Sequence, residues 1–87
     1  MAVVTGGTKG IGRAIILKFA SQKFDIVTCA RNDDELRALK KELESKYKVT
    51  AHVITADLSL KASVKVFTDF VNALKRPVDV LVNNAGF

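Results

Sequence analysis

The residues best suited to chemistry stand at the start of the chain, in Val3-Val4-Thr5-Gly6-Gly7-Thr8-Lys9-Gly10-Ile11-Gly12. An apolar run with strand character leads into Gly6, Gly10 and Gly12, and a helical pattern follows. Glycine lets the backbone take positive φ and lets a ligand come closer than a Cβ would permit. The first turn of a helix adds unpaired N–H donors and a partial positive charge, so the arrangement suits an anion such as a phosphate. Gly7 and Gly12 also have the glycine spacing of an NTPase phosphate loop. That loop needs Lys and then Ser or Thr after its last glycine, to reach the terminal phosphates and Mg²⁺, and Arg13 and Ala14 stand there instead. The NTPase reading fails on that chemistry.

Two further clusters follow at the ends of strand-like runs: Asp57-Leu58, and Asn83-Asn84-Ala85-Gly86. With Thr5-Gly6-x-x-x-Gly10-x-Gly12 they make three motifs in order, and in these the sequence resembles the short-chain dehydrogenase/reductase family. The resemblance runs over essentially the whole chain but corresponds to the first half of the family's usual length. It implies a Rossmann-type α/β fold, a doubly wound parallel sheet of which these residues form the first half, with strand order 3-2-1-4 and helices on both faces. The sheet order reverses beside strand 1, so the crevice between strands 1 and 4 is the expected dinucleotide position.

The resemblance also implies cofactor contacts, at Gly6, Thr8, Lys9, Gly10, Ile11 and Gly12 in the turn and at Arg31 and Asn32 after the second strand. Asp57 and Leu58 would lie beside the adenine; Asn83, Ala85 and Gly86 would border the ribose and nicotinamide, and Asn84 would tie strand backbones together. No catalytic residue is assigned. The family's serine and Tyr-x-x-x-Lys pair would lie after Phe87, and the only tyrosine, Tyr47, has Ala51 four residues later. Residues 1–87 are therefore read as an NADP-binding half-domain, inactive alone, of an oxidoreductase that moves a hydride between nicotinamide and a carbonyl or alcohol substrate. The rival reading is a non-catalytic nucleotide-binding or interaction module complete at Phe87. Family membership further implies a homo-oligomer.

The end of the second strand discriminates between cofactors. NAD proteins place Asp or Glu there, on the ribose hydroxyls. This chain has Ala30, followed by Arg31, with Lys9 inside the glycine turn. A guanidinium can grip a 2′-phosphate with its planar fork and an ammonium adds a point charge, so the expected cofactor is NADP.

Four strands and three helices position these residues. The strands are expected at Met1–Thr5, Asp25–Ala30, Val49–Ala56 and Val78–Asn83, the first and last continuous enough in apolar character to be covered on both faces. The first helix is expected over Ile11–Gln22, with Ile11, Ala14, Ile15, Leu17 and Phe19 on its apolar side. Asn32 is placed to cap the second helix with Glu35 in the capping-box position, and Leu36, Leu39, Leu43 and Tyr47 form its stripe. Ser59 is the expected cap of the third helix, whose stripe is Val64, Phe67, Phe70, Val71 and Leu74 and which Pro77 stops.

Eighty-seven residues, 48% hydrophobic and 26% charged, make one small globular domain. No apolar run reaches the roughly 20 residues that span a bilayer, and the amino terminus lacks the pattern of a secretory leader. The single Cys29 reads as a small buried residue and fits a reducing, cytoplasmic compartment. His52 has no companion ligands, so no metal is expected. The charge of +5 is spread along the second helix among Glu35, Glu42 and Glu44, without the interleaved aromatics that stack bases, so nucleic acid is not an expected partner.

Overall fold

The computed structural model describes residues 1–84. Strands β1 (Ala2–Thr5), β2 (Ile26–Ala30), β3 (Ala51–Thr55) and β4 (Val80–Val82) alternate with helices α1 (Gly10–Ser21), α2 (Asp33–Glu42) and α3 (Lys61–Ala73). All strand pairs are parallel and the order is β3-β2-β1-β4, as expected. Val3 of the central strand lies between Val27 and Leu81, which fixes the register from both sides.

The period-two alternation of the strands sends side chains to two cores. Ala2, Val4, Ile26 and Ala51 pack under Ile16 and Ala20 of α1 and Leu39 of α2, while Val3, Val27 and Cys29 pack under Phe67 of α3. Helices thus cover both faces, α1 and α2 on one and α3 on the other. Ile16 and Ile26 are wholly buried, each worth about 2–3 kcal/mol of transfer free energy.

The helix ends follow from identifiable chemistry at some places and depart from expectation at others. Asn32 Oδ1 accepts the Glu35 backbone N–H at 3.0 Å, which caps α2 as its sequence suggests. Leu43–Tyr47 then continues as a π-helical turn that closes on Lys48 in the left-handed region, φ +60°. Ser59 does not cap α3. Leu60 occupies the cap position, and Ser59 donates both its N–H and its hydroxyl to Asp57 Oδ1, at 3.0 and 2.7 Å. A carboxylate two residues upstream outcompetes the helix for that hydroxyl.

Three further expectations are corrected. The sheet-facing side of α1 is Gly12, Ile16 and Ala20 at i, i+4 spacing; Ile11 and Ala14 are exposed, and Ile15, Leu17 and Phe19 flank the core in part. Strand β4 is shorter than expected and, rather than being covered on both faces, has Leu81 69% exposed. The alternating β3 is also shorter, beginning at Ala51, although Val49 before it is buried.

Candidate functional site

The carboxyl ends of β1, β2 and β3 open into one cleft of about 770 Å³, a size typical of small-molecule sites. Its floor and walls come from Gly6, Thr8 and Lys9 after β1, Cys29 to Asn32 at the end of β2, Glu35 on α2, and Ala56 to Ser59 after β3. The chain folds this way locally because β1 cannot continue past Thr5. Gly6 turns out of the strand at φ +66° and its N–H donates to the Cys29 carbonyl at 3.0 Å, which ties the turn to β2. Gly10, at φ +58°, starts α1 with open space around it.

Gly12 serves differently. A Cβ there would overlap the Gly6 carbonyl oxygen and Asn84 Nδ2, so the helix can pack this close to the turn only without one. Gly7, which the sequence marks only by its phosphate-loop spacing, is as confined, because a Cβ on it would strike the buried Ile16 and Thr28 side chains. Asn84 ties the assembly to β4, donating Nδ2–H to the Gly6 carbonyl at 3.2 Å and its N–H to Thr5 Oγ1 at 2.9 Å. Thr5 in turn donates its hydroxyl to Asn83 Oδ1 at 3.2 Å. The expectation that Asn84 joins strand ends describes these contacts.

Lys9 stands at the cap position of α1 in extended backbone, and the first turn of that helix carries no acidic side chain. The positive end of α1 is therefore not neutralised by its own residues. The Lys9 ammonium reaches across the cleft mouth to Glu35 Oε1 at 3.2 Å. Arg31 is exposed and lines the same cleft. Asp57 is held below the ordinary carboxylate range by the Ser59 hydroxyl, then by the Ser59 N–H, with the Arg31 charge adding to both. Cys29 is buried, and that burial pushes its thiol up, so it stays a neutral thiol. His52 lies away from the cleft on β3, where burial chiefly lowers its imidazole and keeps it neutral near pH 7. Among the described residues no group of three metal-ligating side chains occurs, and no helix is long and apolar enough to cross a membrane.

Of the residues singled out in the sequence, Gly6, Thr8, Lys9, Arg31, Asn32, Asp57 and Leu58 meet in this cleft. Gly10, Ile11 and Gly12 form the adjoining first turn of α1, with the Ile11 side chain 73% exposed. Asn83 does not line the large cleft. It borders a smaller hollow of about 240 Å³ with Thr5, Leu58, Phe67 and Leu81, beside the β1–β4 junction. The large cleft thus sits over β1 to β3 rather than in the β1–β4 crevice. Ala85 and Gly86 lie outside the described residues. Sequence reasoning assigned Glu35 only its helix-capping position; its place in the cleft wall depends on how α2 packs, which the capping pattern does not specify.

The family model described as short chain dehydrogenase matches residues 1–87. A very-long-chain 3-oxoacyl-CoA reductase of Meyerozyma guilliermondii is 39% identical over 85 residues, covering 98% of this chain and 25% of that protein. The inactive hydroxysteroid dehydrogenase-like protein 1 of Homo sapiens is 37% identical over 86 residues, covering 98% of this chain and 26% of its own length. Among solved structures, the L-sorbose reductase of Gluconobacter frateurii complexed with NADPH and L-sorbose superposes with a TM-score of 0.91 at 35% identity, over 99% of this chain and 33% of that one. The chain therefore spans between a quarter and a third of the length of these proteins, less than the half expected from the resemblance.

Proposed function

The chain belongs to the short-chain dehydrogenase family, and from that premise we propose that it is the NADP(H)-binding part of an oxidoreductase acting on a small carbonyl or alcohol substrate. The observation that carries the cofactor assignment is the cleft itself, in which a glycine turn bearing Lys9 and a helix start without acidic side chains share one lining with Arg31, with Ala30 where a carboxylate would repel a phosphate. The cleft fits the group in a second respect: Gly10, at φ +58°, leaves open space at the start of α1, where an anion would approach the helix N–H groups.

In this reading the N–H groups of the Gly6–Gly12 turn and the start of α1 take the pyrophosphate. Arg31 holds the 2′-phosphate by paired N–H donation, and Lys9 adds a second positive charge. Asp57, kept ionised by Ser59, accepts from the adenine amine, and Leu58 covers the base. Asn32 contributes through its side-chain amide N–H₂, because its oxygen is engaged in capping α2. Ile11, Asn83, Ala85 and Gly86 are assigned to the ribose and nicotinamide side. A bound NADP(H) supplies the hydride chemistry at nicotinamide C4. These residues offer no proton donor for a developing alkoxide, so the chain alone binds cofactor without turnover. The whole enzyme works as a homo-oligomer.

The test is a fluorescence titration of NADPH and NADH against the chain and its Arg31→Ala variant. Charge-assisted hydrogen bonds contribute about 1.5–3 kcal/mol, so NADPH binding should weaken roughly ten- to a hundredfold, with NADH nearly unchanged. Equal losses for both cofactors remove the 2′-phosphate assignment.

A further inference from the structure

The cleft holds a carboxylate that cofactor binding has to contend with. Three acidic residues stand in the first turn of α2, and two are accounted for away from the cleft's cations or exposed beyond its lining. Asp33 pairs with Arg37 at 2.7 Å and accepts the Thr55 hydroxyl at 3.1 Å, while Asp34 is exposed and outside the lining. Glu35 lines the cleft, and its carboxylate partner is Lys9, one of the two cations on which a 2′-phosphate would rely. Its side chain is 31% exposed against 78% for Lys9, so the lysine swings out over the opening to meet a more firmly seated acid. Arg31, the other cation, forms no ion pair among the described residues.

We propose that Glu35 is a specificity-determining residue that sets how strongly the cleft prefers a 2′-phosphorylated adenosine over an unphosphorylated one. The inference rests on the NADP(H) reading above. An arriving 2′-phosphate must draw the Lys9 ammonium from Glu35 or share it. An adenosine with a free 2′-hydroxyl does not meet that cost. Glu35 therefore narrows the gap between the two ligand classes, acting through Lys9 as a positioning residue. Partly exposed ion pairs shift an equilibrium by up to about fivefold, which sets the size of the effect.

The test is isothermal titration with adenosine 2′,5′-bisphosphate and adenosine 5′-monophosphate. The proteins are the unmodified chain, Glu35→Gln, Lys9→Met and the double variant. Glutamine keeps the length and the helix-start position of Glu35, and far-UV circular dichroism checks that each variant is folded. Glu35→Gln should tighten the bisphosphate about two- to fivefold and leave the monophosphate unchanged. Lys9→Met should weaken the bisphosphate, and in that background the gain from Glu35→Gln should fall below twofold. An equal change for both nucleotides, no change, or an undiminished gain without Lys9 overturns the proposal while leaving the nucleotide site standing. If the unmodified chain binds neither nucleotide, the cleft reading fails and this inference with it. The preference ratio is the decisive quantity, since a structural role for Glu35 would move both affinities together.

Discussion

Replacing Gly12 by alanine should destabilise the chain even though alanine is the better helix former. Within a helix the exchange gains about 1 kcal/mol from propensity. At this position the new Cβ would overlap the Gly6 carbonyl oxygen and Asn84 Nδ2, with the Gly6 carbonyl carbon 3.2 Å away. Two of those three atoms are backbone, so no rotamer change relieves the clash and the turn must move off α1. Such overpacking costs about 1–3 kcal/mol. The movement also strains the Asn84 to Gly6 hydrogen bond, 3.2 Å, whose loss adds about 1 kcal/mol. The net loss is about 1–3 kcal/mol, which at a urea dependence of about 1 kcal/mol/M lowers the midpoint by about 1–3 M. Urea unfolding followed by far-UV circular dichroism at low protein concentration reads this directly. Gly10→Ala is the control, because its surroundings are open and its cost of about 1–2 kcal/mol comes from φ +58° alone. NADPH binding separates the two effects, since Gly12→Ala displaces the turn itself. A Gly12→Ala chain as stable as the original, with an unchanged urea slope, would refute the reasoning that close packing requires this glycine.

The Asp25 carboxylate is lowered chiefly by the Thr50 N–H, at 2.8 Å, with Arg76 at 2.7 Å adding to it. A depressed folded-state value means stabilisation that is complete above the ordinary carboxylate range and is lost as pH falls below about 4. Asp25→Asn should therefore cost about 1 kcal/mol or less at pH 7, limited by solvent screening, and progressively less as pH falls below about 4; a difference independent of pH in thermal melts counts against the assignment. Light scattering at tens of micromolar should find the purified chain self-associated through β4, and a cooperatively folding monomer at that concentration would contradict it.

The strand order came with the family resemblance, whereas the Asn32 cap and the α2 stripe were legible because each rests on a local pattern with one physical meaning. The α1 face was not, because Ile11, Ala14, Ile15, Ile16, Leu17, Phe19 and Ala20 make that helix apolar nearly all round. The choice of side is made by Gly12 and Ala20, whose small size lets the helix approach the sheet, with Ile16 between them. Ser59 misled for a related reason. Its hydroxyl has two competent acceptors in reach, a helix start and the Asp57 carboxylate, and sequence spacing alone does not rank them. In the cleft, the glycine turn and Arg31 announced themselves by type and position after a strand. Glu35 did not, since its contact with Lys9 joins positions 26 residues apart and exists only once α1 and α2 lie side by side.

The two edges of the sheet are built differently, and the difference explains where association is expected. On β3 the outward N–H and C=O of Ala51 are bound by side chains. Glu44 accepts from the N–H at 3.2 Å, Lys40 donates to the carbonyl at 2.6 Å, and the two pair with each other at 3.0 Å. The Lys40 hydrogen bond, followed by that from Ala51, holds Glu44 below its ordinary value, so the clamp is charged throughout the neutral range. An opposed pair of side chains thus occupies the positions a neighbouring strand would use, which blunts the edge. The π-helical turn contributes directly, because it carries Glu44. On β4 no such clamp is found among the described residues; Leu81 is 69% exposed, on a strand whose Val-Leu-Val run is of the kind parallel sheets bury on both faces, and Val78 just before it is 45% exposed. An apolar edge without side-chain protection lowers its free energy by gaining a neighbour, whereas the β3 edge would first have to give up three charge-assisted contacts. The sheet is therefore closed to growth at β3 and open at β4, on the same side as the hollow lined by Leu81 and Asn83.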